Sequence, residues 1–367
     1  MMYHINNIDE LDSPALVFYP ALIKENIDAA INMVDDIQRL RPHVKTNKSA
    51  DITKLMLAAG IQKFKCATIA EAEMLALCGA GDVLLAYQPV GPKLQRLVQL
   101  TQRYPDTRFS CLIDNAASAT AIAKTFAQAG STIATYIDLN VGQNRTGIAP
   151  GEKAVQLYNY CAQLSGLMMT GLHAYDGHIR NQNLAARTAA VEAAFAPVAA
   201  MRNQLQSMGY HDIIIIAGGT PSFPVHAPGK EVECSPGTFV LWDQGYTRLC
   251  PEQPFKAAAL LVTRVVSLPA DHLICVDLGH KSVSAENDIS QRVFFPDAPA
   301  LKPVGQSEEH LVLDAGAGHS FKVGDVFYGV PVHVCPTVAL YDRAVIVEER
   351  KVTGEWEITS RKRKITI

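Results

Sequence analysis

Lys45 closes the segment Arg41-Pro42-His43-Val44-Lys45. Alternation along an extended chain sets His43 and Lys45 on one side, with the amine at the strand tip. An amine in that position is the group type that forms a Schiff base with an aldehyde. Solvated strand-end lysines share the pattern. Gly218-Gly219-Thr220 and, further on, Pro236-Gly237-Thr238 are turns that present backbone amides and a hydroxyl to an anion such as phosphate. Ordinary Gly-Gly turns look alike, so the pairing of the two carries the reading. Arg145 follows Ile137-Asp138-Leu139-Asn140, and a guanidinium there anchors ring nitrogens or carboxylates. The stretch Gly171–His178 brings His173, Tyr175, Asp176 and His178 onto another strand end. His333 and Cys335 stand two apart. On a strand they share a face, where imidazole and thiolate converge on one divalent ion and leave positions open for substrate. The thiolate favours Zn²⁺ over Mg²⁺ or Ca²⁺.

These residues need a frame that gathers strand ends. Apolar strand-like runs alternate with amphipathic stretches from Ala15–Tyr19 through Pro42–Lys45, Lys63–Ala67, Val83–Ala86, Arg108–Ile113, Thr132–Leu139 and Met168–His173 to Ile213–Ala217. Thr68 and Glu71 form a capping box that marks one helix start. About eight alternations over roughly 220 residues match a (β/α)₈ barrel, whose functional residues sit at the carboxyl ends of its strands. A doubly wound sheet is the competitor, but no GxGxxG follows the first strand. Beyond about residue 250 come β-branched runs with turn signals between them. The fold expected is α/β: a TIM-type barrel over residues 15–250, then an all-β domain over 251–367 onto which residues 1–14 pack.

Composition narrows the function classes. Of the 367 residues 48% are hydrophobic and 19% charged, which excludes a disordered or fibrous chain. With 33 basic and 36 acidic residues the net charge is −3, and no basic stretch marks a nucleic-acid or anionic-membrane partner. Eight scattered cysteines without a CxxC read as reduced thiols of a cytoplasmic protein. The polar start, MMYHINNIDEL, is no signal peptide, and no apolar run approaches the ~20 residues of a spanning helix.

Taken together, RPHVKTNKS, AYDGH, AGGTPSFP, SPGTFV, DLGHKSVS and VHVCPTVALYD resemble, in order, the D-threonine aldolase and D-serine dehydratase family of pyridoxal-phosphate enzymes with the alanine-racemase fold. The resemblance implies that Lys45 carries the cofactor, Arg145 partners its ring nitrogen and Tyr175 neighbours the ring. It also implies that Gly219, Thr220, Gly237 and Thr238 cup the phosphate. His178 is implied as an acid/base and His333 with Cys335 as the pair that holds a divalent metal, with Zn²⁺ ahead of Mn²⁺ or Mg²⁺. Asn47 departs from the family, which often has His there, and the His-Cys pair looks more like the dehydratase branch. A homodimer is implied, with one subunit's β domain facing its partner's barrel.

The function expected is cleavage of a D-β-hydroxy amino acid to glycine and an aldehyde. Dehydration to a keto acid and ammonia is the alternative within the same site. A racemase would leave His333 and Cys335 without a role, and a non-catalytic cofactor carrier would leave the β domain without one.

Overall fold

The computed structural model describes residues 3–367. The chain forms two compact units, one of residues through Ala29 with Thr46–Ile52 and Thr238–Arg361, the other of Ala30–Lys45, Thr53–Gly237 and Lys362–Ile367. The first strand, β1 (Ala15–Phe18), takes no part in the parallel sheet that the sequence pattern assigns it to. That sheet begins at β2 (Lys63–Cys66) and continues through β3 (Asp82–Leu85), β4 (Arg108–Ile113), β5 (Ile133–Leu139), β6 (Leu167–Ala174), β7 (Ile214–Ala217) and β8 (Val232–Cys234). The seven strands are parallel neighbours in sequence order. Leu84 of β3, Leu112 of β4, Tyr136 of β5 and Ile216 of β7 pack together into a buried cluster, as side chains do inside a curled parallel sheet.

Helices make the crossovers. Ile69–Leu77 starts where the capping box places it: Thr68 Oγ1 accepts from the Glu71 amide at 3.0 Å, and the Glu71 carboxylate accepts from the Ala67 amide at 2.6 Å. Leu184–Ser207, 24 residues long, is apolar and long enough by composition to cross a membrane. It connects β6 to β7, which pair in parallel, and buries Arg187, so it reads as a crossover.

The expected eight-stranded barrel is corrected to a seven-stranded parallel sheet: Ala15–Phe18 joins the other sheet, the Pro42–Lys45 segment makes an isolated bridge instead of a strand, and Val232–Cys234 adds a strand that the sequence pattern did not show. Leu40 bridges to Cys234 of β8, and His43 bridges to Lys65 of β2. The Arg41 amide donates to Cys234 O at 2.8 Å and the Lys65 amide to Pro42 O at 2.9 Å. Pro42 has no N–H to continue a ladder. Charge does part of the joining: the buried Arg41 guanidinium holds Glu233 at 2.8 Å and Asp82 at 2.5 Å, and Lys63 also pairs with Glu233.

The other unit is built on nine strands. After β1 they are β9 (Ala259–Ala270), β10 (Leu273–Val276), β11 (Val293–Phe294), β12 (Lys302–Gln306), β13 (Leu311–Asp314), β14 (Val326–Pro331), β15 (Arg343–Glu348) and β16 (Lys351–Glu357). Their order is β12-β13-β10-β9-β1-β15-β16, with β14 also on β9 and β11 on β14. β1 lies antiparallel to β9, with Val17 opposite Leu260, and parallel to β15, with Val17 opposite Val345. Leu16, Val17 and Phe18 are all buried, which explains why an unbroken apolar run looked like a barrel strand. Short helices at Gln244–Leu249 and Val334–Val338 interrupt this sheet-rich unit.

Candidate active site

A cavity of about 260 Å³ opens at the carboxyl ends of the parallel strands, and Lys45, Lys65, Asp138, Arg145, His173 and Tyr175 line it. Tyr175, one residue beyond β6, is one of its walls. The Lys45 Nζ lies 5.9 Å from the ring centroid, the Lys65 Nζ 5.3 Å and the Arg145 guanidinium carbon 5.2 Å. Basic groups this close to one aromatic ring favour an anionic or electron-poor planar guest. The Lys45 backbone amide donates to His43 Nδ1 at 3.3 Å, and Lys45 lies in the turn that follows the His43 bridge.

Lys65 is the residue that sequence reasoning missed. It sits inside β2, where a short apolar-looking run drew attention to strand formation and away from its amine. Burial, reinforced by the charge of Lys45, drives its pKa down to about 7 against the opposing pull of Asp176 and Asp138. Its Nζ lies 3.4 Å from His173 Nε2, and His173 Nδ1 is 2.7 Å from Asp138 Oδ1. Burial and the nearby Lys65 charge lower the His173 pKa despite Asp138. Burial raises the Asp138 pKa, but the His173 hydrogen bond and charge outweigh it and leave the carboxyl below its usual range.

The two anion-type turns come together. The Gly237 amide donates to Thr220 Oγ1 at 3.3 Å, and the Ser235 amide donates to Ala217 O at 3.1 Å. Ser235 Oγ is buried and has no hydrogen-bond partner among the described residues. A buried orphan hydroxyl beside such turns suits a phosphate oxygen. Gly218, at φ +81°, takes a left-handed conformation that a side chain resists. Asp176 holds the turn in place: its Oδ1 accepts from the Gly219 amide at 3.1 Å and Ser222 Oγ at 2.7 Å, while Oδ2 lies 3.1 Å from His226 Nε2. Burial opposes its charge, but those hydrogen bonds and His226 hold the Asp176 carboxyl below its ordinary pKa.

His178 is exposed and does not line the cavity. Its ring lies on Gly142, where an added Cβ would come within 2.6 Å of Nε2, and Gly142 belongs to the same loop as Arg145. Thr238 opens a 3₁₀ turn in the sheet-rich unit, with its hydroxyl 3.8 Å from Cys335 Sγ.

The strand geometry expected for His333 and Cys335 is corrected. Strand β14 ends at Pro331; His333 caps the helix Val334–Val338, and Cys335 lies in its first turn. The pair still meets, because helix entry folds the chain back on itself. Burial disfavours a charged imidazole, yet the hydrogen bond and charge of Cys335, then those of Glu286, raise the His333 pKa to about 9. His333 Nδ1 contacts the Glu286 carboxylate, and Thr46 Oγ1 lies 3.2 Å from Cys335 Sγ. Among the described residues no group of three His, Cys, Asp or Glu is gathered as a complete metal cage. The His333 imidazole and the Cys335 thiol are by chemistry suitable donors for a borderline-soft divalent ion.

Residues 20–241 match the alanine racemase N-terminal domain family, and residues 258–347 match the family described as "Putative serine dehydratase domain". A D-threonine aldolase of Arthrobacter sp is 30% identical over 96% of this chain and 93% of its own length. The chain belongs to this family. The D-threonine aldolase of Filomicrobium marinum, a solved member, superposes with a TM-score of 0.88 at 28% identity, covering 98% of each chain. A metal-free form of a mutant D-threo-3-hydroxyaspartate dehydratase superposes at 0.82 with 23% identity over 95% of this chain and 97% of its own. The family is one of pyridoxal-phosphate-dependent lyases of D-amino acids, and its alanine-racemase-like fold, a curled parallel sheet with a separate sheet-rich part, is the fold described above.

Proposed function

We propose that this protein is a metal-assisted pyridoxal-phosphate lyase that cleaves D-β-hydroxy amino acids to glycine and an aldehyde. The observation that carries the reading is the grouping of Lys45, Arg145 and Tyr175 around one strand-end cavity. Pyridoxal phosphate, when bound, supplies an electron sink for a bond broken at Cα. Lys45 would hold it through its amine, with Tyr175 against the ring and Arg145 at the ring nitrogen. Gly219, Thr220 and Gly237 would bind the phosphate through the turns that Asp176 braces. A divalent ion at His333 and Cys335, Zn²⁺ before Mn²⁺ or Mg²⁺, would supply a Lewis acid for the β-hydroxyl.

The chain's own groups then decide which bond breaks. His178, whose ring rests on the loop that carries Arg145, would take the β-hydroxyl proton through a water, and Cα–Cβ cleavage follows. Removal of the Cα proton by Lys45 instead would lead to loss of hydroxide, then a keto acid and ammonia. The His-Cys donor pair keeps that dehydratase reading as the second choice. The protein would work as a homodimer. Incubation of metal-loaded holoprotein with D-threonine and D-serine, with glycine, aldehyde and keto acid assayed together, tests both readings. Release of none of the three rejects them.

A further inference from the structure

Lys65 has no part in the function proposed above, yet it is the most deeply buried amine of the cavity. Its residue is 2% exposed, and its Nζ faces the Tyr175 ring from 5.3 Å. A lysine is placed so deep only where something offsets the cost of desolvating its ammonium. Here that support is one-sided: His173 Nε2 stands 3.4 Å from Nζ, and Asp138 fixes the imidazole from behind at 2.7 Å. With Asp138 accepting from Nδ1–H, Nε2 is left with a lone pair aimed at the amine.

We propose that Lys65 is a second acid–base group of this cavity, oriented by His173 and Asp138, that delivers a proton to the substrate Cα. The proposal rests on reading the cavity as the cofactor and substrate site. Breaking Cα–Cβ leaves its electron pair with the Cα fragment, which must gain one proton before glycine departs. Lys65 in its ammonium form gives that proton from Nζ and is left as a neutral amine. It is then reprotonated from solvent, so no oxidant or further reactant is needed.

The surroundings suit a group that must both give and regain a proton. Lys45, Arg41 and burial favour the neutral amine, Asp176 and Asp138 favour the ammonium, and the balance falls at about 7. Both forms are then present near neutral pH, the condition under which acid–base catalysis is most effective. An ordinary lysine, with a pKa near ~10.4, is a far weaker acid at that pH.

The test uses holoprotein labelled with ¹³C at lysine Cε, with the Lys65 resonance assigned by its loss in Lys65→Arg. The expected titration midpoint is near 7, and a midpoint above about 9 overturns the proposal. Glycine Cα–H exchange in D₂O is then compared in wild type, Lys65→Met and Lys65→Arg. Both variants should keep the visible band of lysine-bound cofactor but exchange about 100-fold more slowly, without the wild-type pH dependence near 7. Wild-type exchange and pH profile in a cofactor-loaded variant would overturn it. A missing visible band in wild type would instead reject the function proposed above, while the Lys65 titration is read independently of it.

Discussion

Lys65 and His173 meet at 3.4 Å, nitrogen to nitrogen, in the wall of a cavity that Lys45 also lines. The cavity therefore holds two amines near one aromatic ring, Lys45 in the turn just past the His43 bridge and Lys65 within β2.

The first prediction separates the two amines. Borohydride reduction of the holoprotein followed by peptide mapping should label Lys45, and Lys45→Ala should abolish the visible band and catalysis together. Label on Lys65 or Lys48 would contradict the assignment.

Lys65 should also cost stability. A buried amine with a lowered pKa binds fewer protons than the unfolded chain between about pH 7 and the ordinary lysine value, so stability rises with pH across that window. Lys65→Met should therefore stabilise the apoprotein by about 1–4 kcal/mol near pH 6, with the gain shrinking toward about pH 10. Urea titrations at several pH values read this directly. A gain that is flat or grows with pH would contradict it.

How much of this was legible beforehand depended on the kind of signal. Thr68 and Glu71 mark a helix start by local chemistry, and the structure places the helix there. Ala15–Phe18 misled because an apolar run says that a strand is buried but not which sheet covers it. Pro42 removes a donor, and the bridging role of its segment depends on Cys234 and Lys65, residues distant in sequence. Lys45, Arg145 and Tyr175 were found as strand-end residues. Lys65 could have been found by the same inspection, since a charged residue within a short apolar strand is itself a signal. His333 and Cys335 were found for their donor types, although the chain brings them together through a helix entry and not a strand face.

Asp176 braces the Gly218-Gly219 turn through three hydrogen bonds. Asp176→Asn should lower stability by about 1–3 kcal/mol at neutral pH and loosen cofactor retention about tenfold. The carboxyl is held below its ordinary pKa, so its contribution is present above the unfolded value and lost as pH falls through the folded one. The difference from wild type should accordingly shrink below about pH 4. Denaturation curves and equilibrium dialysis of cofactor check the two effects, and a difference that grows in acid would be inconsistent with the brace.

The metal pair predicts a different pattern. Chelation should remove lyase activity and leave the cofactor band in place, and added Zn²⁺ should restore the activity. Cys335→Ala should lose about 100-fold or more in kcat/KM without releasing cofactor. Full lyase activity in a metal-free preparation would contradict the role given to His333 and Cys335.

The most direct measurement follows D-threonine with metal-loaded holoprotein by ¹H NMR. The account predicts glycine and acetaldehyde in equal amounts, formed by wild type and not by Lys45→Ala. Formation of L-allo-threonine, the Cα epimer, with no aldehyde, or no reaction of any D-β-hydroxy amino acid, would contradict it.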